Sequence, residues 1–302
     1  MNKLKEDFQK EYSKEKQFVY ENIREGISTN IKFHNELENV RSSAAACLNV
    51  LVYLNRHQND IIPFFNQIGL NIQKVIDFPH PVVYGGKRYD DEGPIVFEWI
   101  GPKKSPINEK GCSRGQNRTS IDAYMLAEVN GKITQLFIEW KFTETYNSVS
   151  NTHKFGGKKG IERLRRYSDI LTKLRKGNFP FKFNDEDKIG LSDFSYEPFY
   201  QLLRMTLLAK MTTPTNLNSL RIDDYKIIHL AHSENKKLNF LSEPHLEYSP
   251  GLKRFIGNSL HDTWIELLDD KEKEHHIMEF WNKALYVLST NKDKKYLVQR
   301  YE

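Results

Sequence analysis

Phe8, Tyr12, Val19 and Ile23 recur at helical spacing with charges between them, so residues 1–29 are expected to form an amphipathic helix. A second helix is expected over 31–54. Its latter half, SSAAACLNVLVYL, is apolar nearly all round and should lie in a core. A third, shorter helix is expected over 61–68. The pattern then changes: Pro79, Pro81, Gly85, Gly86, Gly93 and Pro94 mark turns. PIVFEWIG (94–101) reads as a strand and 103–117 as a loop. RTSIDAYMLAEV and KITQLFIEWKF follow, joined by Asn130-Gly131. That dipeptide between β-prone runs is the strongest short-range hairpin signal.

Beyond the hairpin, FGGKKG (155–160) reads as a loop leading into a basic helix over 161–175. Another helix is expected over 195–210 with Pro198 in its first turn, then a buried strand over 225–233 and an amphipathic helical stretch over 261–296. Neither internal repeats nor a linker interrupt this order. The expectation is one α/β domain over 1–302: an N-terminal helix (1–30), a core (31–235) and a C-terminal helical extension (236–302).

The hairpin brings chemistry with it. A two-residue turn at Asn130-Gly131 sets Val129 opposite Lys132, which places Asp122 opposite Glu139 and Ser120 opposite Lys141. Directly opposed side chains have Cβ atoms about 4.5–5.5 Å apart, and like charges so placed repel. A divalent cation between them removes that cost. By strand alternation Glu139 and Lys141 share one face. Trp140 shares the other with Ile121, Ala123, Met125, Leu136 and Ile138. That apolar face must pack on something, most simply a helix.

Phosphodiester hydrolysis needs residues of these types. Negative charge develops on phosphoryl oxygens, and Mg²⁺ neutralises it and acidifies the attacking water. Mg²⁺ takes hard oxygen ligands, which Asp122, Glu139 and the Trp140 carbonyl can supply, and Mn²⁺ is expected to substitute. Lys141 lands beside them and can orient the water or bond the developing oxyanion. A cross-strand salt bridge would use the same three residues, but two acids opposed amid apolar neighbours argue for the ion.

Charge sharpens the picture. The chain carries formal charge +5. Residues 153–176 hold nine Lys or Arg against two acids, a local +7 that leaves −2 for the rest. This positive field begins about a dozen residues after the proposed site and suits phosphate contacts that position a duplex. The alternative is a solvated surface. The charged N-terminus does not read as a secretory signal. The apolar run at 44–54 is about half a bilayer span. The two cysteines, Cys47 and Cys112, lack zinc-site spacing. A cytoplasmic protein without a membrane segment is expected. No two histidines lie three or four apart on an expected helix. His275 and His276 are expected at the surface, and His229 and His232 as structural residues.

TSIDAYM followed by LFIEWKFTE resembles the PD-(D/E)XK nuclease superfamily, in which an acid on one strand precedes (D/E)-x-K at the end of the next. Asp122 matches the first acid, and Glu139 and Lys141 the second half. VFEW upstream and YEPFYQLLR downstream extend the resemblance to an uncharacterised bacterial branch, over about 30–235. Ile121 stands where the pattern has proline, a lax position. The tripeptide alone is uninformative, since six occur in the chain; only Glu139 ends a long apolar strand with an acid opposite.

The resemblance implies a restriction-endonuclease-like αβββαβ core with a mixed sheet, plus extra N- and C-terminal helices. It also implies cleavage of nucleic acid, DNA favoured over RNA, with a restriction or host-defence role. It suggests a metal-site acid at Glu98, which alternation turns away from Phe97 and Trp99 and which could equally be an exposed strand residue; some members place a metal-site glutamate where Glu36 and Glu38 stand, but for these two a solvated helix face is the favoured reading. It suggests Gln201 as a polar residue aimed at the site or the nucleic acid. Lys158, Lys159, Arg163 and Arg166 are the candidate phosphate contacts, and a homodimer is left open. Two alternatives stand beside this reading: a non-catalytic nucleic-acid binder or scaffold on the same fold, and an effector nuclease silent until a signal arrives.

Overall fold

The Asn130-Gly131 turn has positive φ at both residues, 50° and 75°, as a tight right-twisted hairpin turn requires. In this computed structural model, which describes residues 39, 41–77, 82–84, 87–89, 93–110, 118–146, 153–175, 177–183, 188–242 and 249–302, the turn joins β5 (Ile121–Val129) to β6 (Lys132–Trp140). The helix expected at 1–29, Glu36, Glu38 and Cys112 lie outside the described residues. The ladder runs from Val129 opposite Lys132 to Ala123 opposite Ile138, the expected register.

Two strands share the free edge of β5 end to end. β1 (Ile72–Ile76) pairs with its C-terminal half and β4 (Val96–Trp99) with its N-terminal half, both antiparallel. On the other side β6 runs parallel to β9 (Asp224–Ala231), which runs parallel to β10 (His276–Phe280). The result is an α/β protein with a six-stranded mixed sheet. Two short hairpins stand apart from it: β2 (Val82–Tyr84) with β3 (Lys87–Tyr89), and β7 (Thr215–Leu217) with β8 (Leu220–Ile222).

Each face of the sheet has its own core. On one, Ala123, Met125, Leu136, Ile138 and Trp140 pack against α1 (Ser43–Arg56) and α2 (Ile61–Gln67). α1 starts where the Ser42 hydroxyl accepts the Ala45 N–H at 3.2 Å, a serine N-cap, and it is buried from Ala45 to Asn55. On the other face, Tyr124, Leu126 and Phe137 pack against α3 (Gly157–Leu174), α4 (Phe199–Met211) and, past the short α5 (Lys236–Asn239), α6 (Leu260–Leu267).

Several expectations are corrected. Helix α4 starts at Phe199, with Pro198 as its N-cap rather than inside its first turn; a proline restricts the residue before it and blocks earlier helix. The stretch 261–296 is not continuously helical. After α6 and α7 (Asp270–Lys273) it contains β10, then α8 (Trp281–Ala284) and, past residue 291, α9 (Lys292–Tyr301). His276 is therefore a buried strand residue, accepting from the Trp264 indole at 3.1 Å.

Ile121 does not share a face with Trp140. It packs in the opposite core with Trp99. Glu98 has φ +53°, and this left-handed residue breaks the strict alternation of β4. Phe97 and Trp99 consequently enter opposite cores, so Glu98 cannot face away from both. It is buried, not the exposed strand residue that alternation allows.

Candidate active site

The site forms where β5 begins and β6 ends. The β5–β6 ladder stops at Ala123–Ile138, and Asp122 takes over from the backbone there: its Oδ2 accepts the Trp140 N–H at 2.9 Å. The Asp122 and Glu139 carboxyls lie against each other. Glu139 is fully buried. Its Oε1 accepts from the Lys141 ammonium and from Gln201 Nε2, the latter at 2.6 Å. Its Oε2 is buried and has no donor among the described residues. Burial, then the Asp122 charge, pushes the Glu139 carboxyl up from its ordinary range, against the opposing pull of Lys141.

Lys141 is also buried. Burial opposes its charge, but Glu139 and then Tyr146 outweigh it, so the ammonium is held protonated. Its main chain is pinned on both sides: its N–H donates to the Leu230 carbonyl at 2.7 Å, and its carbonyl accepts from Trp281 Nε1 at 3.0 Å. β9 and α8 thus fix where the side chain starts. The Trp140 carbonyl accepts from Ser43 Oγ at 3.0 Å, which leaves one lone pair.

Glu98 Oε2 accepts from Ser120 Oγ at 2.6 Å. Beneath the group lies Cys47 of α1, buried. Burial first, then the charges of Asp122, Glu98 and Glu139, push its thiol up. Among the described residues, no group of three acid, histidine or cysteine side chains is placed to hold an ion; the carboxyls in mutual contact are two.

Strand alternation supplied the acids and the lysine. It did not supply His229, which lies beside Glu139 in the parallel β6–β9 ladder. His229 is buried, neither ring nitrogen bonds to another of the described residues, and its ring meets that of His261 edge-on at 5.7 Å. Burial, then His261, depresses its pKa. Parallel pairing between distant segments has no local signal, so the sequence could not reveal this neighbour.

The basic helix α3 divides its cations. Lys158 and Lys159 are exposed on its first turn, while Arg163 and Arg166 turn inward. Those two line a cavity with Arg204 of α4. Among the described residues no helix is long and apolar enough to cross a membrane.

Fold and site together define an α/β protein with an acid–acid–lysine group at the antiparallel-to-parallel junction of a mixed sheet. Residues 2–302 match the family model REase-ARP, restriction endonuclease associating with ARP, and the chain belongs to that family. No curated protein and no solved structure matches it.

Proposed function

We propose that the chain is a Mg²⁺-dependent endonuclease of the PD-(D/E)XK type, cutting DNA in a restriction or host-defence setting. One observation carries the reading: Oε2 of Glu139, buried and without a donor among the described residues, in a carboxyl lying against that of Asp122. An unsatisfied buried charge beside a second acid is costly, and a divalent cation satisfies both. The donor set fits Mg²⁺, which takes one or two carboxylates and keeps several waters. Asp122, Glu139 and the Trp140 carbonyl would hold it. When bound, the ion would offset charge on the phosphoryl oxygens and lower the pKa of the attacking water.

The chain's own residues do the positioning. Gln201 and Lys141 fix one oxygen of Glu139 and leave the other for the ion. The Trp140 N–H holds one oxygen of Asp122. Lys141, kept charged by its neighbours, donates to the developing oxyanion rather than removing a proton. Glu98, held by the Ser120 hydroxyl, would serve as an auxiliary acid. Lys158 and Lys159 give exposed charge for phosphate contact.

The test is cleavage of duplex DNA, single-stranded DNA and RNA with Mg²⁺, Mn²⁺ or EDTA, in wild type and Asp122→Asn. Metal-dependent cutting of duplex DNA, lost in the variant, is expected. Binding without cleavage under every divalent ion would overturn it.

A further inference from the structure

Joined to the start of β5 through the Glu109–Thr119 hydrogen bonds lies a half-open cavity of ≈ 260 Å³. Five cations line it: Arg118, Lys154, Arg163, Arg166 and Arg204. The acids lining it are Glu109 and Glu197, so the cations outnumber them by three.

Neither acid is free to balance that excess. Glu109 already accepts from the Thr119 N–H at 2.6 Å, the Thr119 hydroxyl at 2.7 Å and the Tyr167 hydroxyl at 3.3 Å, with Arg204 at 3.4 Å. Glu197 receives the Gln201 N–H at 3.0 Å and faces Lys154 at 3.6 Å. Arg163 donates to the Lys154 carbonyl at 2.8 Å and has no carboxylate partner among the described residues. The Arg166 side chain is only 10% exposed; its carboxylate partner is the half-exposed Glu162, at 3.5 Å, which Lys110 approaches more closely at 3.0 Å. Arg163 and Arg204 both approach the Tyr200 ring, at 6.0 and 5.2 Å from its centroid. Like charges gathered in a partly desolvated cavity are costly unless an anion joins them, and guanidinium forks match phosphate oxygens.

The cavity is also built into the proposed active site. Thr119 ties it to the segment carrying Ser120 and Asp122. In α4, Tyr200 and Arg204 face the cavity while Gln201 holds Glu139. We infer that this cavity is a phosphate-binding subsite, which takes a backbone phosphate of the strand lying in the proposed active site. The inference rests on the nuclease reading for the identity of the strand but not for the chemistry of the cavity.

The test is binding in EDTA, where no cleavage occurs. A fluorescent duplex oligonucleotide is titrated with wild type, Arg163→Gln, Arg166→Gln and Arg221→Gln; Arg221 is exposed and outside the cavity, so its loss controls for net charge. Inorganic phosphate and chloride then compete at equal ionic strength. Each cavity variant is expected to lose about tenfold or more in affinity, and Arg221→Gln much less. Phosphate should displace the oligonucleotide better than chloride from wild type, and that advantage should vanish in Arg163→Gln. Equal competition by the two anions, or equal losses in Arg163→Gln and Arg221→Gln, would overturn the subsite. If circular dichroism shows Arg166→Gln unfolded, Lys154→Gln replaces it. Phosphate-selective binding without cleavage under any divalent ion would sink the nuclease reading alone. Cleavage with an unselective anion response would sink the subsite alone.

Discussion

Lys141 occupies a position that would expel most lysines. Burying an ammonium costs several kcal/mol unless a partner and hydrogen bonds compensate, and Glu139 supplies both. Lys141→Ala should therefore lower single-turnover cleavage by roughly 100-fold or more while leaving oligonucleotide affinity in EDTA near wild type. A variant that cuts at the wild-type rate would remove the lysine from the mechanism. Glu139 makes a complementary prediction. Ligand that binds only the folded state raises its melting temperature. Wild type should melt higher with Mg²⁺ than with EDTA, and Glu139→Gln should melt the same in both, because the amide offers no charge to the ion. An unchanged Mg²⁺ response in the variant would place the ion elsewhere.

Among the elements, α3 depends on close approach. Gly160 sits in its first turn, and a Cβ there would run into the Phe155 carbonyl group. Gly160→Ala should displace the start of α3, cost about 1–3 kcal/mol of stability and weaken phosphate binding through Arg163. Denaturant titration beside the anion competition measures both. At the other end of the sheet, Glu272 ties α4, β9 and β10 together: it accepts from Lys210 at 2.7 Å and Tyr225 at 2.6 Å, and faces His276 at 3.5 Å. Burial opposes its ionisation, but the His276, Lys210 and Tyr225 contacts prevail and hold its pKa at about 2. The folded value lies below the unfolded one, so the stabilisation is full above the ordinary glutamate range and is lost as pH falls through about 2. Glu272→Gln should flatten the decline in melting temperature over that window. An unaltered pH slope would mean that other acids govern it.

For the whole molecule, the uneven charge predicts how nucleic acid approaches. The positive excess sits in 153–176 while the remainder is slightly acidic, so the face carrying α3 should meet the phosphates. Affinity should fall linearly in log units with log salt, and Arg163→Gln should reduce that slope by about one. The same slope in wild type and variant would make Arg163 a bystander. Both sheet faces are covered by helices, and Asp122, the one partly exposed acid of the group, sits at the end of the sheet where β5 begins.

Local pattern determined the central hairpin. Asn130-Gly131 and the alternation on each side set the register that opposes Asp122 and Glu139, because a two-residue turn leaves one pairing with the apolar residues inward. Gln201 and the basic helix were also legible, the first by resemblance and the second by composition. Tertiary structure alone decided the rest. The left-handed Glu98 reversed the side-chain order of β4, since backbone strain of that kind persists only where surrounding packing holds it. β10 and the place of His229 beside Glu139 depend on parallel pairing between segments far apart in the chain. The cationic cavity gathers residues from 109 to 204. No local periodicity records which distant side chains a fold brings together; only packing does.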